Sequence, residues 1–132
     1  MIHISKLVVR SYECDSYSHV NNAVYLNYLE YARMAFLKDN GFDYKKFVSL
    51  GYAIIVVRIA IDYKLSAVLY DELTIETQPV KRRKASGTFL QRILKDGNLV
   101  AEAEVTWAVL NAQGRPSPVP QEFEIPALNP AN

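Results

Sequence analysis

The chain has 132 residues, of which half are hydrophobic and 22% are charged. This length and this balance predict a single folded domain and exclude an intrinsically disordered chain. The formal net charge of +1 excludes a general attraction to nucleic acid, and the single cysteine, Cys14, excludes an intrachain disulfide.

The sequence shows no sign of secretion or of membrane insertion. Its first residues contain no basic segment followed by a long apolar run, so no signal peptide is predicted. No apolar run reaches the ~20 residues that a membrane-spanning helix requires. A lone cysteine also suits a reducing compartment. We therefore expect a cytoplasmic protein with neither a membrane nor a nucleic acid as its partner.

The first third of the chain predicts a strand followed by a long helix. Residues 3–13 are apolar enough for a first strand, and residues 15–22 form a polar loop. From residue 23 to about residue 40, apolar positions recur at the i, i+3, i+4 spacing of a helix. They cover a wide sector, which indicates a helix enclosed by other elements. Gly41 is well suited to follow the helix end.

The rest of the chain predicts four more strands and a proline-rich tail. Residues 42–51 are a connector with at most one helical turn, and Asp96-Gly97 is typical of a tight hairpin. The strand-like runs are residues 53–63, 72–80, 85–94 and 99–110. The predicted class is α+β, with one five-stranded antiparallel sheet and the main helix on one face. We assign residues 1–122 to a single domain and residues 123–132 to an irregular tail.

The loop before the helix contains the main candidate for chemistry. Asp15 stands close to a helix start, where backbone amides have no partner within the helix. A carboxylate placed there can act as a general base or nucleophile while the amides stabilise an oxyanion. The alternative is an acid that only satisfies a turn. Asn21 and Asn22 are candidate N-caps whose backbone N–H groups can point at a ligand.

Other side chains in this stretch are weaker candidates. His19 lies four residues after Asp15, but with His3 as the only other histidine no histidine-rich metal site is predicted. Cys14 is a poor nucleophile, because neighbouring carboxylates raise the pKa of a thiol. Tyr25 fits a hydrophobic core, although its hydroxyl is also a candidate for lining a pocket.

One basic cluster interrupts the predicted sheet. Lys81, Arg82, Arg83 and Lys84 stand where one strand ends and the next begins. The cluster is either a solvated turn or a site for the phosphates of a nucleotide-bearing substrate.

The stretch from residue 13 to residue 33 resembles the signature of hotdog-fold thioesterases of the 4-hydroxybenzoyl-CoA thioesterase type. The matching residues are Glu13-Cys14-Asp15, His19-Val20-Asn21-Asn22-Ala23, Tyr25, Tyr28, Glu30, Ala32 and Arg33. Weaker similarity extends the match to roughly residues 5–122. The His-Val-Asn-Asn run also resembles that of plant-type acyl-carrier-protein thioesterases.

The resemblance implies a fold, an assembly and a reaction. It implies a long central helix wrapped by the sheet, and a homodimer assembled into a homotetramer with active sites between subunits. It implies thioester hydrolysis without a metal or a cofactor. The catalytic acid falls on Asp15 and the carbonyl-polarising amide on Asn22, with His19 as a further catalytic candidate.

Substrate contacts are carried over more loosely. The resemblance draws pantetheine and nucleotide contacts from the strand region of residues 81–84, though not through a fixed motif. Asn21 and Tyr25 are further candidates for contact with the substrate. Two positions depart from the family pattern, Ser18 where glycine is common and Ser66 where proline is common. These departures leave the acid and the amide in place and leave the substrate open.

The resulting expectation is an acyl-CoA thioesterase whose acyl group the sequence does not specify. One alternative is an enzyme that acts on acyl groups carried by acyl-carrier protein. Another is a non-catalytic acyl-CoA-binding module on the same fold.

Overall fold

Helix α1, Asn22–Asp39, is the element around which the chain folds. The computed structural model describes residues 2–131, so residues 1 and 132 of the predicted domain and tail lie outside the described residues. The helix buries one broad face, made of Tyr25, Tyr28, Leu29, Ala32, Phe36 and Leu37. This face agrees with the wide apolar sector in the sequence, and it packs against the sheet.

Five strands form one antiparallel sheet beside α1, and a short second helix follows α1. The elements are β1 His3–Val8, α2 Tyr44–Ser49, β2 Ala53–Tyr63, β3 Glu72–Arg82, β4 Ser86–Lys95 and β5 Asn98–Leu110. The strand order is β1-β3-β4-β5-β2, which leaves β1 and β2 at the two edges. This architecture confirms the predicted class, a five-stranded antiparallel sheet with one long helix.

The hairpin between β4 and β5 has the predicted geometry. Asp96 and Gly97 both have positive φ, 50° and 79°. Two consecutive positive φ angles are typical of the two-residue turn whose twist matches antiparallel strands.

The first strand is shorter than its composition predicts. It ends at Val8, and residues 11–13 form a single 3-10 turn instead of more strand. The turn forms because the carboxylate of Glu13 accepts the backbone N–H of Arg10 at 2.8 Å. The prediction of a strand over residues 3–13 was therefore wrong after residue 8.

The buried residues form two clusters, one at each end of α1. The first contains Tyr25, Tyr28 and Leu29, and the second contains Phe36 and Leu37. The C-terminal tail belongs to the second cluster. It forms 3-10 turns at Gln121–Phe123 and Pro126–Leu128, and its Phe123 and Leu128 are buried.

The edge strand β2 presents apolar side chains to solvent. Ile55, Val56 and Val57 are 37%, 42% and 55% exposed. The strand pairs with β5 alone, with an irregularity between Val56 and Arg58. Within residues 2–131, no helix has both the length and the hydropathy that a membrane crossing needs.

Candidate active site

A tight loop holds Asp15 in place through backbone hydrogen bonds. Its Oδ1 accepts the N–H of Tyr17 at 2.9 Å and the N–H of His19 at 3.2 Å. Its own N–H donates to the carbonyl of His19 at 2.8 Å. Ser18 has a φ of 62°, so this loop closes with a non-glycine residue at the position where the family often has glycine. The Asp15 side chain is exposed, and its Oδ2 makes no hydrogen bond within residues 2–131.

The start of α1 presents the backbone amide of Asn22. Asn21 is the N-cap, and its side chain accepts the N–H of Ala23 at 2.9 Å. The carbonyl of Asn21 accepts the N–H of Val24 at 2.9 Å. The N–H of Asn22 has no acceptor within residues 2–131. A free amide at this end of a helix favours negative charge, because the helix dipole points its positive end there.

Tyr63 fixes the same first turn from the sheet. Its hydroxyl donates to the carbonyl of Asn22 at 3.0 Å. Tyr63 is the last residue of β2, so this bond ties the helix start to one end of the edge strand.

A second carboxylate lies just before Asp15 and is fully engaged. Glu13 is 7% exposed, and it accepts hydrogen bonds from the guanidinium of Arg10 at 2.6 and 3.0 Å and from the hydroxyl of Tyr28 at 2.9 Å. Burial raises the pKa of Glu13, but the hydrogen bonds from Arg10 and Tyr28 lower it by a larger amount. The net pKa of Glu13 therefore lies below its ordinary value. Burial and the bond to Glu13 raise the pKa of Tyr28. This cluster is a structural support for the loop.

Tyr25 lies beneath the loop. It is 3% exposed, and its hydroxyl accepts the N–H of Ala67 at 2.9 Å. Burial raises the pKa of Tyr25. The carbonyl of Ala67 accepts the N–H of Val20 at 2.9 Å, so residues 64–71 pack beside the Asp15 loop. Tyr25 thus shapes the floor of the site, and its predicted contact with substrate stays a prediction.

The side chains of His19 and Cys14, the other two candidates in this stretch, do not engage Asp15. His19 is exposed and contributes through its backbone, which also forms a bridge to Val68. Burial, followed by the charges of Glu13 and Asp15, raises the pKa of Cys14, which agrees with the view that it is a poor nucleophile. Within residues 2–131, no three His, Cys, Asp or Glu side chains are grouped as metal ligands.

The basic cluster lies far from Asp15 within one chain. It is at the end of β3, whereas the start of that strand adjoins residues 64–71. Ten residues of strand span about 33 Å at ~3.3 Å per residue. Lys81, Arg83 and Lys84 are exposed.

Arg82 differs from the other members of the basic cluster. Its Nη2 donates to both carboxylate oxygens of Glu124 at 2.7 and 2.8 Å, and its guanidinium lies over Trp107 at 5.5 Å. Its other two nitrogens are buried without a partner among the described residues. Arg82 is therefore held by the tail and is not free to meet a ligand.

Two contacts that position the site were not predicted from the sequence. Arg10 and Glu13 stand three residues apart with opposite charges, a signal that could have identified the support for the loop. No local pattern marks the bond from Tyr63 to Asn22, because 41 residues separate the two.

The fold and the site together define a class of protein. Residues 9–125 match the model of the thioesterase-like superfamily, and this range covers the Asp15 loop, α1 and strands β2 to β5. The chain therefore belongs to the thioesterase-like superfamily. This confirms the predicted family, and with it the predicted enzyme class, a thioester hydrolase.

Individual relatives fall in the same class. The chain is 38% identical over 109 residues to the long-chain acyl-CoA thioesterase FadM of Escherichia coli, which covers 81% of this chain and 82% of that protein. It is 30% identical over 116 residues to the acyl-CoA thioesterase YbgC of Haemophilus influenzae, 87% of this chain and 85% of that protein. The crystal structure of a probable thioesterase from Bartonella henselae superposes with a TM-score of 0.87 at 27% identity, covering 91% of this chain and all of that one.

Proposed function

We propose that this protein hydrolyses acyl-CoA thioesters, with Asp15 as base or nucleophile and the Asn22 amide as the oxyanion donor. One observation carries the proposal: a carboxylate oxygen and a backbone N–H, both without a hydrogen-bond partner among residues 2–131, border the same loop. Two relatives that cover more than four fifths of the chain, FadM and YbgC, are named acyl-CoA thioesterases, which supports CoA as the thiol carrier.

The chemistry needs only these two groups. In one route Asp15 takes a proton from water, the hydroxide adds to the thioester carbonyl, and the C–S bond then breaks. In the other route Asp15 attacks the carbonyl, the C–S bond breaks with release of the thiolate, and water then hydrolyses the resulting anhydride. Both routes place negative charge on the carbonyl oxygen, where the Asn22 N–H stabilises it. The proton from water passes to the leaving thiolate, so the products are an acid and free CoA.

The loop is open in a single chain, and a second copy would close it. Because β2 is an exposed edge with apolar side chains, it is suited to antiparallel pairing with β2 of a second copy. Such pairing would place the two sites at the subunit interface. Further assembly into a tetramer stays a prediction.

The basic cluster of residues 81–84 can bind the phosphates of CoA only across an interface between subunits. Its distance from Asp15 within one chain means that phosphates of a bound CoA would meet Lys81, Arg83 or Lys84 of another subunit. Arg82 is the least suited of the four, because Glu124 already neutralises it.

The test of this function is thiol release from acyl-CoAs of different chain lengths. We expect Asp15→Asn to lower kcat by about 10²–10⁴-fold, the range typical of a lost general base. Asparagine keeps the side chain's shape and its Oδ1 acceptor, so the fold should be retained. Thiol release at the wild-type rate would contradict the role of Asp15.

Three further measurements separate the alternatives. Single turnover in ¹⁸O-labelled water distinguishes the routes, because label entering Asp15 indicates a nucleophile and label confined to the acid indicates a base. Faster turnover with acyl-carrier protein than with CoA would favour the carrier-protein enzyme. Binding of acyl-CoA without hydrolysis would favour the non-catalytic module.

A further inference from the structure

The hydroxyl of Tyr63 contacts the first residue of α1, and neither reaction route uses it. Tyr63 is the last residue of β2, and its hydroxyl donates to the carbonyl of Asn22 at 3.0 Å. Within a helix such a carbonyl already accepts the N–H of the residue four positions further on. Tyr63 therefore uses the second lone pair of this oxygen, in addition to the bonding that the helix itself supplies.

The two peptide groups on either side of the Asn22 Cα are both held by hydrogen bonds. The first contains the Asn22 N–H and the carbonyl of Asn21, which accepts the N–H of Val24 at 2.9 Å. Because N–H and C=O point in opposite directions in a trans peptide, this bond directs the Asn22 N–H out of the helix start. The second contains the Asn22 carbonyl, which Tyr63 holds. With both planes fixed, the φ and ψ angles of Asn22 have little freedom to change.

The bond from Tyr63 acts closest to the proposed oxyanion donor. Two other hydrogen bonds join the start of α1 to the chain that follows β2: the N–H of Val20 donates to Ala67, and the N–H of Ala67 donates to the hydroxyl of Tyr25. These bonds hold the chain before and after Asn22. Within residues 2–131, the Tyr63 hydroxyl is the group from the sheet that bonds to Asn22 itself.

The ring of Tyr63 is held independently of its hydroxyl. It packs edge-on against the ring of Tyr25, with centroids 5.4 Å apart. Its backbone pairs with Ala101 of β5. Loss of the hydroxyl alone should therefore leave the ring and the strand in place.

We propose that Tyr63 is a positioning residue for the oxyanion donor. Its hydroxyl holds the start of α1 so that the Asn22 N–H stays aimed at the thioester oxygen while negative charge develops there. A donor that is already oriented stabilises this charge without rearranging during the reaction. The inference rests on the proposed function, and it adds a residue of the sheet to the two groups that the reaction routes use.

The first arm of the test removes the hydroxyl. We expect Tyr63→Phe to lower kcat about tenfold and to leave KM unchanged, because the amide acts on the transition state. A loosely held donor should cost less than an absent one, which costs about 10²–10³-fold. The control is Tyr31→Phe, which removes a hydroxyl from a 52% exposed side chain of the same helix. Wild-type kcat in Tyr63→Phe, or an equal loss in the control, would overturn the proposal.

The second arm separates positioning from a general loosening of the fold. Asn22→Pro deletes the amide hydrogen, whereas Asn22→Ala keeps it. In the Asn22→Ala background we expect Tyr63→Phe to lower kcat about tenfold. In the Asn22→Pro background we expect a loss of less than about twofold, because no N–H remains to be aimed. Equal losses in the two backgrounds would assign Tyr63 a structural role only.

A binding measurement replaces the second arm if the proline variant does not fold. The probe is an acyl-CoA thioether, in which a methylene takes the place of the thioester carbonyl, so the amide has no oxygen to bind. We expect Kd for this probe to differ by less than about twofold between the wild type and Tyr63→Phe. A rise in Kd as large as the fall in kcat would contradict a role in positioning the amide.

Failure of the proposed function looks different. In that case the wild-type protein hydrolyses no acyl-CoA, or Asn22→Pro is as active as Asn22→Ala, and the role of Tyr63 falls with it. If only the role of Tyr63 is wrong, Asn22→Pro still has a lower kcat than Asn22→Ala. Tyr63→Phe then matches the wild type or loses activity equally in both backgrounds.

Discussion

Glu13 and Asp15 carry the same functional group two residues apart, yet their surroundings are opposite. Glu13 is buried, and Arg10 and Tyr28 supply it with four hydrogen bonds. Asp15 is exposed, and only one of its oxygens is engaged by the loop. A carboxylate whose lone pairs are all used stabilises structure, whereas a carboxylate with a free oxygen can take a proton or attack a carbonyl. The comparison assigns stability to Glu13 and chemistry to Asp15.

The largest effect on stability should follow from replacing Glu13. We expect Glu13→Gln to lower the free energy of unfolding by about 2–3 kcal/mol, because hydrogen bonds to a buried charged group are lost. Urea unfolding measures this change. Asp15→Asn is the matched control, and we expect it to change the same quantity by less than about 0.5 kcal/mol. Equal effects of the two variants would break the comparison.

The pH dependence of stability should report the same difference. In the folded protein the pKa of Glu13 is below the ordinary 4.5. The contribution of Glu13 to the free energy of unfolding is therefore fully present above pH 4.5, and it is lost as the pH falls through the folded-state pKa. Asp71 behaves in the same way. Burial raises its pKa, but the hydrogen bonds from Lys95 and Val68 lower it by a larger amount, so the net pKa of Asp71 is also below its ordinary value. We expect unfolding free energy to fall as pH is lowered below about 4.5.

Glu13→Gln sharpens this measurement. We expect a shallower pH dependence than in the wild type, with the remaining slope partly due to Asp71. An unchanged slope would mean that Glu13 is not the group that titrates.

The smallest effect should come from Cys14, the residue between the two acids. We expect Cys14→Ala to leave thiol release unchanged, because burial and the neighbouring charges raise the pKa of the thiol and keep it protonated. The kcat/KM of this variant with an acyl-CoA checks the expectation. A large loss of activity in a folded variant would assign chemistry to the thiol.

Local patterns in the sequence predicted the elements well. The apolar sector of α1, the strand-like runs that form β3 and β5, and the Asp96-Gly97 turn each depend on near neighbours in the chain. Periodicity did not select Asp15 or the Asn22 amide over other loop residues. That choice depended on the resemblance to a known family.

Contacts between distant residues could not be predicted from the sequence. The tail provides the clearest case: its proline-rich composition indicated an irregular segment, yet Leu128 closes a cavity under α1. Arg82 provides another, because its partner Glu124 is 42 residues away and removes it from the free basic cluster. Both depend on which surfaces the sheet brings together.

The most direct test of the central claim removes the N–H of Asn22. Proline is well tolerated at the first position of a helix, and Asn21, with φ −62° and ψ 137°, already has the extended backbone that precedes proline. Asn22→Pro therefore deletes the amide hydrogen, while Asn22→Ala keeps it and removes only the side chain. We expect kcat for acyl-CoA hydrolysis to be about 10²–10³-fold lower in Asn22→Pro than in Asn22→Ala, at equal thermal stability. Equal kcat in the two variants would contradict the assignment of the Asn22 amide as the oxyanion donor.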